Sequence, residues 1–422
     1  MAKPSLNPIR GFRDLYPDEK ATQEYLFAKI RNIADNYGFV SYDGPILEPI
    51  DIYLEKTSEE LIKRQTYQVI DKNGDVLVMR PEITPSMARM VAARARELTF
   101  PLRLFNNGQR FRYEAPQKGR GREFYQQDFD ILGPADVVAD AEILAVAISV
   151  MTELGVTSDD FVVYLNSRSE MEKNLAQLGF TTAQYPKLLD AIDRQDKIDS
   201  SEFKKLLTNI EPDEKKIEKL TELLKNQSEE KSEYFAALFS LLKNLKIDKY
   251  CQINYNITRG LDYYTGLVFE VKMQGGELTR SLFGGGRYDN LVASYDSKYQ
   301  IPGVGFATSD VVLLEFLKEK NLLPQINPRQ TKVLVTIFNN DLAGESASCA
   351  QMLREAFIAT ELYPDATKPL DKQLKYADKV QIPYVAIVGP EEKEKGIVNL
   401  KNLKTGEQEK LALVDLIKKL TS

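Results

Sequence analysis

Histidine and tryptophan are both missing from this 422-residue sequence, and cysteine occurs only at Cys251 and Cys349. The loss of imidazole excludes its general acid–base chemistry, Ser–His and Cys–His nucleophile pairs, and histidine metal sites. Two cysteines cannot build a disulfide framework or a zinc cluster, and they suit a reducing cytoplasm. No apolar run reaches the roughly 18 residues of a membrane span, and residues 1–13 are too polar for a secretory leader. A positive surplus is lacking too: 56 Lys and Arg stand against 62 Asp and Glu, a net −6. Whole-molecule attraction to nucleic acid is thereby excluded, and any such binding must come from a local patch. What remains is an ordinary globular composition, 43% hydrophobic and 28% charged, long enough for two or three domains. Its chemistry must fall to carboxylates, Arg, Lys, Tyr or Gln.

A local patch exists. Nine of the 20 arginines lie between Arg80 and Arg122, and residues 89–122 carry +7, eight Arg and Lys118 against Glu97 and Glu114. A planar guanidinium fork suits phosphate and carboxylate, although a solvated surface would give the same count. The order of residues argues further. Residues 102–114 and 123–132 read as two strands joined by a long cationic loop, 115–122, with two glycines. Alternate side chains share a face of a strand. That places Arg110, Arg112 and Glu114 together on the first strand, and Phe124, Gln126, Asp128 and Asp130 together on the second. Antiparallel pairing about the loop sets Glu114 near Phe124 and Arg112 near Gln126. The result is an anion site at one end grading into a cation site at Asp130, suited to a zwitterion beside a phosphate.

Around this hairpin, Asp18 can cap a helix running to Gly38, with Leu26, Ile30, Ile33 and Tyr37 on one stripe. A strand at 76–80 precedes a helix opened by Thr84 as cap and Pro85 in the first turn. A helix at 137–155 and a strand at 161–165 follow. Residues 169–245 are Lys/Glu-rich with a helical period, a small all-helical insertion. Strands resume at 252–256 and 267–272, and the glycine run 284–286, taken alone, reads more readily as a turn than as a ligand cradle. Residues 322–331, with Pro324 and Pro328, read as a linker. Beyond it, strand–helix alternation predicts an α/β domain of about 90 residues with a parallel or mixed sheet.

Phe111-Arg112-Tyr113-Glu114, the basic loop and Arg122-Glu123-Phe124-Tyr125-Gln126 resemble motif 2 of the class II aminoacyl-tRNA synthetases, and the separate segment Arg80-Pro81-Glu82-Ile83-Thr84 also resembles these proteins. Arg259-Gly260-Leu261-Asp262-Tyr263-Tyr264-Thr265-Gly266 is similar to a signature of the histidyl-tRNA synthetase family, and Phe283-Gly284-Gly285-Gly286-Arg287-Tyr288-Asp289 to its second histidine-associated element. Lys372-Gln373-Leu374-Lys375-Tyr376-Ala377-Asp378-Lys379 and Thr405-Gly406-Glu407-Gln408 resemble the anticodon-binding domain of class IIa members.

The resemblance implies an α+β fold: a class II antiparallel sheet flanked by helices in a catalytic domain (1–325, helical insertion about 169–248), then an α/β anticodon-binding domain (326–422). It implies histidine–tRNA ligase activity, with L-histidine, ATP accompanied by Mg²⁺, and tRNA(His) as substrates. It further implies a cytoplasmic homodimer joined around motif 1, Gly44-Pro45-Ile46-Leu47-Glu48-Pro49. Arg112 and Arg259 then hold the α-phosphate, and Gln126 positions the attacking carboxylate. Glu82 and Thr84, with Ile83 between them, receive the α-ammonium, and Asp130 and Tyr264 read the imidazole beside Tyr263. Glu114, Arg120 and Phe124 serve ATP, and Gln117 and Arg122 the tRNA acceptor end. A silent paralogue, serving as regulatory subunit of ATP phosphoribosyltransferase or as a histidine or tRNA sensor, is the alternative. One departure stands out. Val312 occupies the register of the third class II motif's arginine, with Arg280 and Lys298 as candidate substitutes.

Overall fold

The computed structural model describes residues 5–54, 65–195, 198–225, 232–257, 263–276 and 281–421. These fall into two compact units, Met1–Pro324 and Gln325–Ser422.

In the first unit, alternation of large apolar and polar residues along the strands builds a sheet with two unlike faces. Its eight strands run, in spatial order, Val40–Ser41, Leu102–Phe111, Glu123–Leu132, Gly303–Ser309, Ser281–Arg287, Leu267–Met273, Phe161–Ser167 and Cys251–Ile253. Pairing is antiparallel except at the two edges, where Val40–Ser41 and Cys251–Ile253 join parallel to their neighbours. One face is filled by aromatic rings, Phe105 against Phe129 at 4.9 Å and Phe129 stacked on Phe306 at 5.0 Å between centroids. Helices Pro17–Asn36 and Val137–Glu153 belong to the same core, the first through Leu26, Ile30 and Ile33. Pro17 lies in the first turn and Tyr16 in the cap position, so Asp18 sits inside the helix rather than capping it. Proline's fixed φ and missing N–H already suit a first turn.

The helices between Arg168 and Asn244 share that core: Leu188, Phe203, Leu220 and Leu238 are buried in one cluster with Phe129. The opposite face of the sheet is hollowed by small residues: the register sets Gly108 opposite Gln126, Gly305 and Ala307 opposite Asp130 and Asp128, and Gly286 one strand further on. The glycine run is therefore a central strand and not a turn, because backbone approaches too closely there for side chains. A Cβ at Gly285 would collide with Gly305 O. Helix Thr84–Arg94 covers part of this face, packing Met87, Ala88 and Val91 with Tyr264 and Tyr288. A small sheet, Leu47–Pro49, Val76–Met79 and Tyr67–Ile70, stands apart.

The second unit is a five-stranded sheet in the order Thr360–Leu362, Val333–Val335, Tyr384–Ile387, Ile397–Asn402, Gln408–Ala412, the first three parallel and the last two antiparallel. Helices Ala343–Glu355, Leu370–Lys379 and Leu413–Thr421 accompany it. The mixed sheet agrees with the strand–helix alternation. Both cysteines are free and buried, and burial pushes their thiols up, Cys251 to about 12 and Cys349 to about 11, so neither is a ready nucleophile.

Candidate active site

The hairpin pairs in a register two residues per strand away from the expected one. Gly108 faces Gln126 and Arg110 faces Phe124, and the ladder ends at Phe111 opposite Glu123. Beyond one further bond, from Arg112 N to Arg122 O at 2.9 Å, other segments capture the backbone. Tyr113 N donates to Gln65 O at 2.7 Å, and Arg122 N to Gly11 O at 2.8 Å. A shift of two keeps the faces, so Arg110, Phe124, Gln126, Asp128 and Asp130 still line one side.

At the buried end, Arg110 and Asp128 form an ion pair of 2.7 Å, and Arg110 also donates to Asn106 at 2.7 Å. Burial works against both charges, lowering the guanidinium's pKa and raising the carboxyl's, with their mutual attraction opposing. Asp130 is only 2% exposed and receives a hydrogen bond from the Tyr288 hydroxyl. Burial pushes its carboxyl up to about 8 against that bond, and its Oδ2 carries no protein partner. Gly305 makes room for it: a Cβ there would overlap Asp130 Oδ1. Gly286 likewise makes room for the Tyr264 ring, which a Cβ would approach to 2.7 Å. Tyr263 packs on Tyr264 at 4.9 Å and donates to Glu82 Oε2 at 3.2 Å, joining segments 181 residues apart.

At the open end, Arg112 donates through Nε to Pro81 O at 3.0 Å and lies 5.3 Å from the Phe124 ring centroid. Motif 2 and the Arg80–Thr84 segment are thereby held together, and Arg80 itself is buried on Asp43, Gly44 O and Gln109 O. Glu82 is buried, and Ile83 is fully buried. Thr84 is the first helical residue and makes no capping bond; Ile83 holds the cap position. Gln126 Oε1 is sealed from solvent and unpartnered. Glu114 and Arg120 pair with each other at 2.8 Å, and Arg122 stacks on Tyr113 at 4.0 Å while donating to Glu114 O. Gln117 and Arg120 close the loop as an isolated bridge around Gly119, whose φ is +75°. Lys118 reaches Glu319 at 3.3 Å, and a Cβ on Gly119 would stand 3.7 Å from Val312 Cγ2. The loop thus folds over the register where the third motif's arginine is replaced. Arg259 and Arg280 lie outside the described residues, so their expected places cannot be set beside these.

Asp310 escaped the sequence reading. Fully buried, it accepts from Arg13 at 2.8 Å, Gln23 at 2.7 Å and Tyr125 N at 2.9 Å, tying the N-terminal segment and helix Asp310–Glu319 to the second hairpin strand. Its partners lie up to 297 positions away, so no local spacing could have revealed it. Tyr288 was read only as part of a motif, although it is the donor that holds Asp130.

An antiparallel sheet whose hollow face carries a motif 2 hairpin, a buried carboxylate and a tethered arginine defines a class II aminoacyl-tRNA synthetase catalytic unit. Residues 11–310 match the family described as histidyl-tRNA synthetase, and residues 332–422 match the anticodon binding domain. Relatives called histidine--tRNA ligase include one from Leptospira biflexa, 32% identical over 97% of this chain and 96% of its own, and one from Thermoplasma volcanium, 34% identical over 97% of each. A chloroplastic/mitochondrial histidine--tRNA ligase of Arabidopsis thaliana is 33% identical over 98% of this chain and 86% of its own. The crystal structure of histidyl-tRNA synthetase from Nostoc sp. PCC 7120 superposes with a TM-score of 0.80, at 26% identity and 99% coverage of both chains. This chain belongs to the histidyl-tRNA synthetase family.

Proposed function

We propose that this chain is a histidine–tRNA ligase, joining L-histidine to ATP as histidyl-adenylate and passing the histidyl group to the 3′ end of tRNA(His). The observation that carries the reading is the convergence of three distant segments on one face, with Tyr263 on Glu82 and Arg112 on Pro81 O beside the buried Asp130. In activation a histidine carboxylate oxygen bonds to the α-phosphorus while the bond from that phosphorus to the pyrophosphate oxygen breaks. The attacking carboxylate is already ionised, so no protein base is needed. Charge grows on the α-phosphate oxygens, where a guanidinium stabilises the transition state more than the ground state. Arg112 has that role, with Arg259 as the second cation. Gln126 orients the carboxylate, and Glu82 and Thr84, with the backbone of Ile83, hold the α-ammonium. Asp130 and Tyr264 read the imidazole beside Tyr263.

Phe124, adjacent to Arg112, stacks the adenine. Glu114 meets the adenine edge and Arg120 the outer phosphates, for which their mutual ion pair has to open. Gln117 and Arg122 face the tRNA acceptor end. Among the described residues no cluster of three potential metal ligands is present. Mg²⁺ accompanies the nucleotide, as its counterion on the phosphates. The domain roles follow the same reading: residues 1–325 catalytic, including the helical segment at about 169–248, and 326–422 anticodon-binding. A homodimer forms through the motif 1 region, where Ile46, Leu47 and Ile70 are exposed, Ile70 by 73%. We place the protein in the cytoplasm.

Charging of tRNA(His) transcript with radiolabelled histidine tests the proposal. Histidine-specific, ATP-dependent charging is the expected result. Folded protein that charges with no amino acid would instead favour the silent regulatory or sensor paralogue.

A further inference from the structure

Phe124 and Gln126, proposed above for the adenine and the histidine carboxylate, flank Tyr125 on the second hairpin strand. Alternation sends the Tyr125 ring to the opposite face of the sheet. There it packs on Phe27 of helix Pro17–Asn36, at 5.3 Å between centroids. On one side Tyr125 pairs with Gln109. On the other the ladder ends one residue short: Ser309 faces Gln126, and the chain then turns into helix Asp310–Glu319. The Tyr125 N–H is met there by a side chain, Asp310 Oδ1 at 2.9 Å.

The other carboxylate oxygen of this fully buried residue is held from two further segments. Gln23 Nε2 donates to Asp310 Oδ2 at 2.7 Å and Arg13 Nη2 at 2.8 Å. Lys20 Nζ donates to Gln23 Oε1 at 2.8 Å, which turns the amide's NH₂ group toward the carboxylate. Arg13 supplies the countercharge, and its chain neighbours grip the hairpin further along. Gly11 O accepts from Arg122 N at 2.8 Å and from Glu123 N at 3.3 Å. Phe12 packs between Tyr67 at 5.9 Å and Phe111 at 6.4 Å. A Cβ on Gly11 would stand 2.7 Å from Arg122 Cγ, so this close approach requires glycine. Residues 11–13 thus form a strap, bound at one end to the base of the cationic loop and at the other to Asp310. An acid in the first turn of a helix is favoured by the helix dipole alone. That preference requires neither full burial nor donors from other segments.

We infer that Asp310 is a positioning residue for amino-acid activation, acting through the Tyr125 amide to set Phe124 against the nucleotide, with Arg13 as its counterion. The inference rests on the proposed ligase activity. A charged acceptor holds an amide more strongly than a neutral carbonyl does, and the strand held this way carries substrate contacts on its other face. Misplacement by about 1 Å through a support remote from the reacting atoms can cost about 10²-fold in rate.

The test uses D310A and R13A in the full-length chain, with R13K as the conservative control. Thermal melts first establish that each variant is folded at the assay temperature. Histidine-dependent ATP–pyrophosphate exchange is then measured, and L-histidine is titrated calorimetrically without ATP. D310A should lower kcat/KM for ATP about 10–100-fold. R13A should lower it about 3–10-fold, and R13K should return it to within about twofold of wild type. The histidine Kd should stay within about threefold throughout, because Asp130, Tyr264 and Glu82 are held by other contacts. Folded D310A with wild-type ATP constants and only a lowered melting temperature would make Asp310 purely structural. Equal weakening of histidine and ATP would mean general loosening of the hairpin. If D310A does not fold, R13A decides, and unchanged ATP constants in that variant overturn the inference. The ligase reading survives each of these results. Wild-type protein that catalyses no exchange would overturn that reading, and this inference with it.

Discussion

Asp130 shows how burial sets the chemistry of a single residue. An ordinary aspartate titrates near 4, whereas here burial holds the carboxyl protonated up to about 8. The native state therefore binds a proton that the unfolded chain releases between those values. Stability from this group is full below about pH 4 and falls as pH rises towards 8. D130N removes the titration. Its melting temperature relative to wild type should rise steadily from pH 5 to pH 9, by several degrees in all, measured calorimetrically at fixed ionic strength. A gap that stays constant with pH would mean that the carboxyl is ionised throughout. The arginines give a second lesson at this scale. Six of the nine between Arg80 and Arg122 (Arg80, Arg89, Arg94, Arg103, Arg110 and Arg120) are in ion pairs with carboxylates inside the fold. Part of the local +7 is therefore balanced by paired carboxylates, in the buried Arg80 and Arg110 as well as in exposed pairs such as Arg94 with Glu97. Arg112 has no carboxylate partner among the described residues, and it is the member we propose for the α-phosphate.

At the scale of the element, the hairpin was legible because alternation of polar and aromatic residues survives any even shift of register. The register itself was not legible. The ladder stops at Phe111 because Gly11 and Gln65 take the next backbone groups, and nothing within 102–132 announces partners so far away. Strand Gln408–Ala412 carries little strand signal of its own, because four of its five residues are exposed and its first three are polar. The glycine run defeated local rules for the opposite reason. Glycine usually weakens a strand, yet here the Asp130 and Tyr264 side chains occupy the space that a Cβ at Gly305 or Gly286 would need. G305A should accordingly displace Asp130, raising the histidine KM at least tenfold while moving the ATP KM less than threefold. Equal changes in both constants would indicate general loosening of the sheet.

For the whole molecule, a net charge of −6 leaves binding of nucleic acid to local surfaces. Dimerisation should follow the apolar residues beside the small sheet. Sedimentation equilibrium is expected to give about twice 47.9 kDa for wild type and the monomer mass for I70E. A wild-type monomer would remove the homodimer from the account. The domain order was readable from sequence because composition and periodicity change at the proline-bearing linker. The site was readable as a set of residue types on one face, but its internal partners, Asp310 with Arg13 and Tyr288 with Asp130, became visible only in three dimensions. The central claim is that this face activates histidine. Histidine-dependent exchange of labelled pyrophosphate into ATP, with saturating ATP and Mg²⁺ and without tRNA, tests it most directly. The account predicts exchange with histidine, none with other amino acids, and a loss of about 10²–10³-fold in R112A. Folded wild-type protein that exchanges no pyrophosphate with histidine would contradict it.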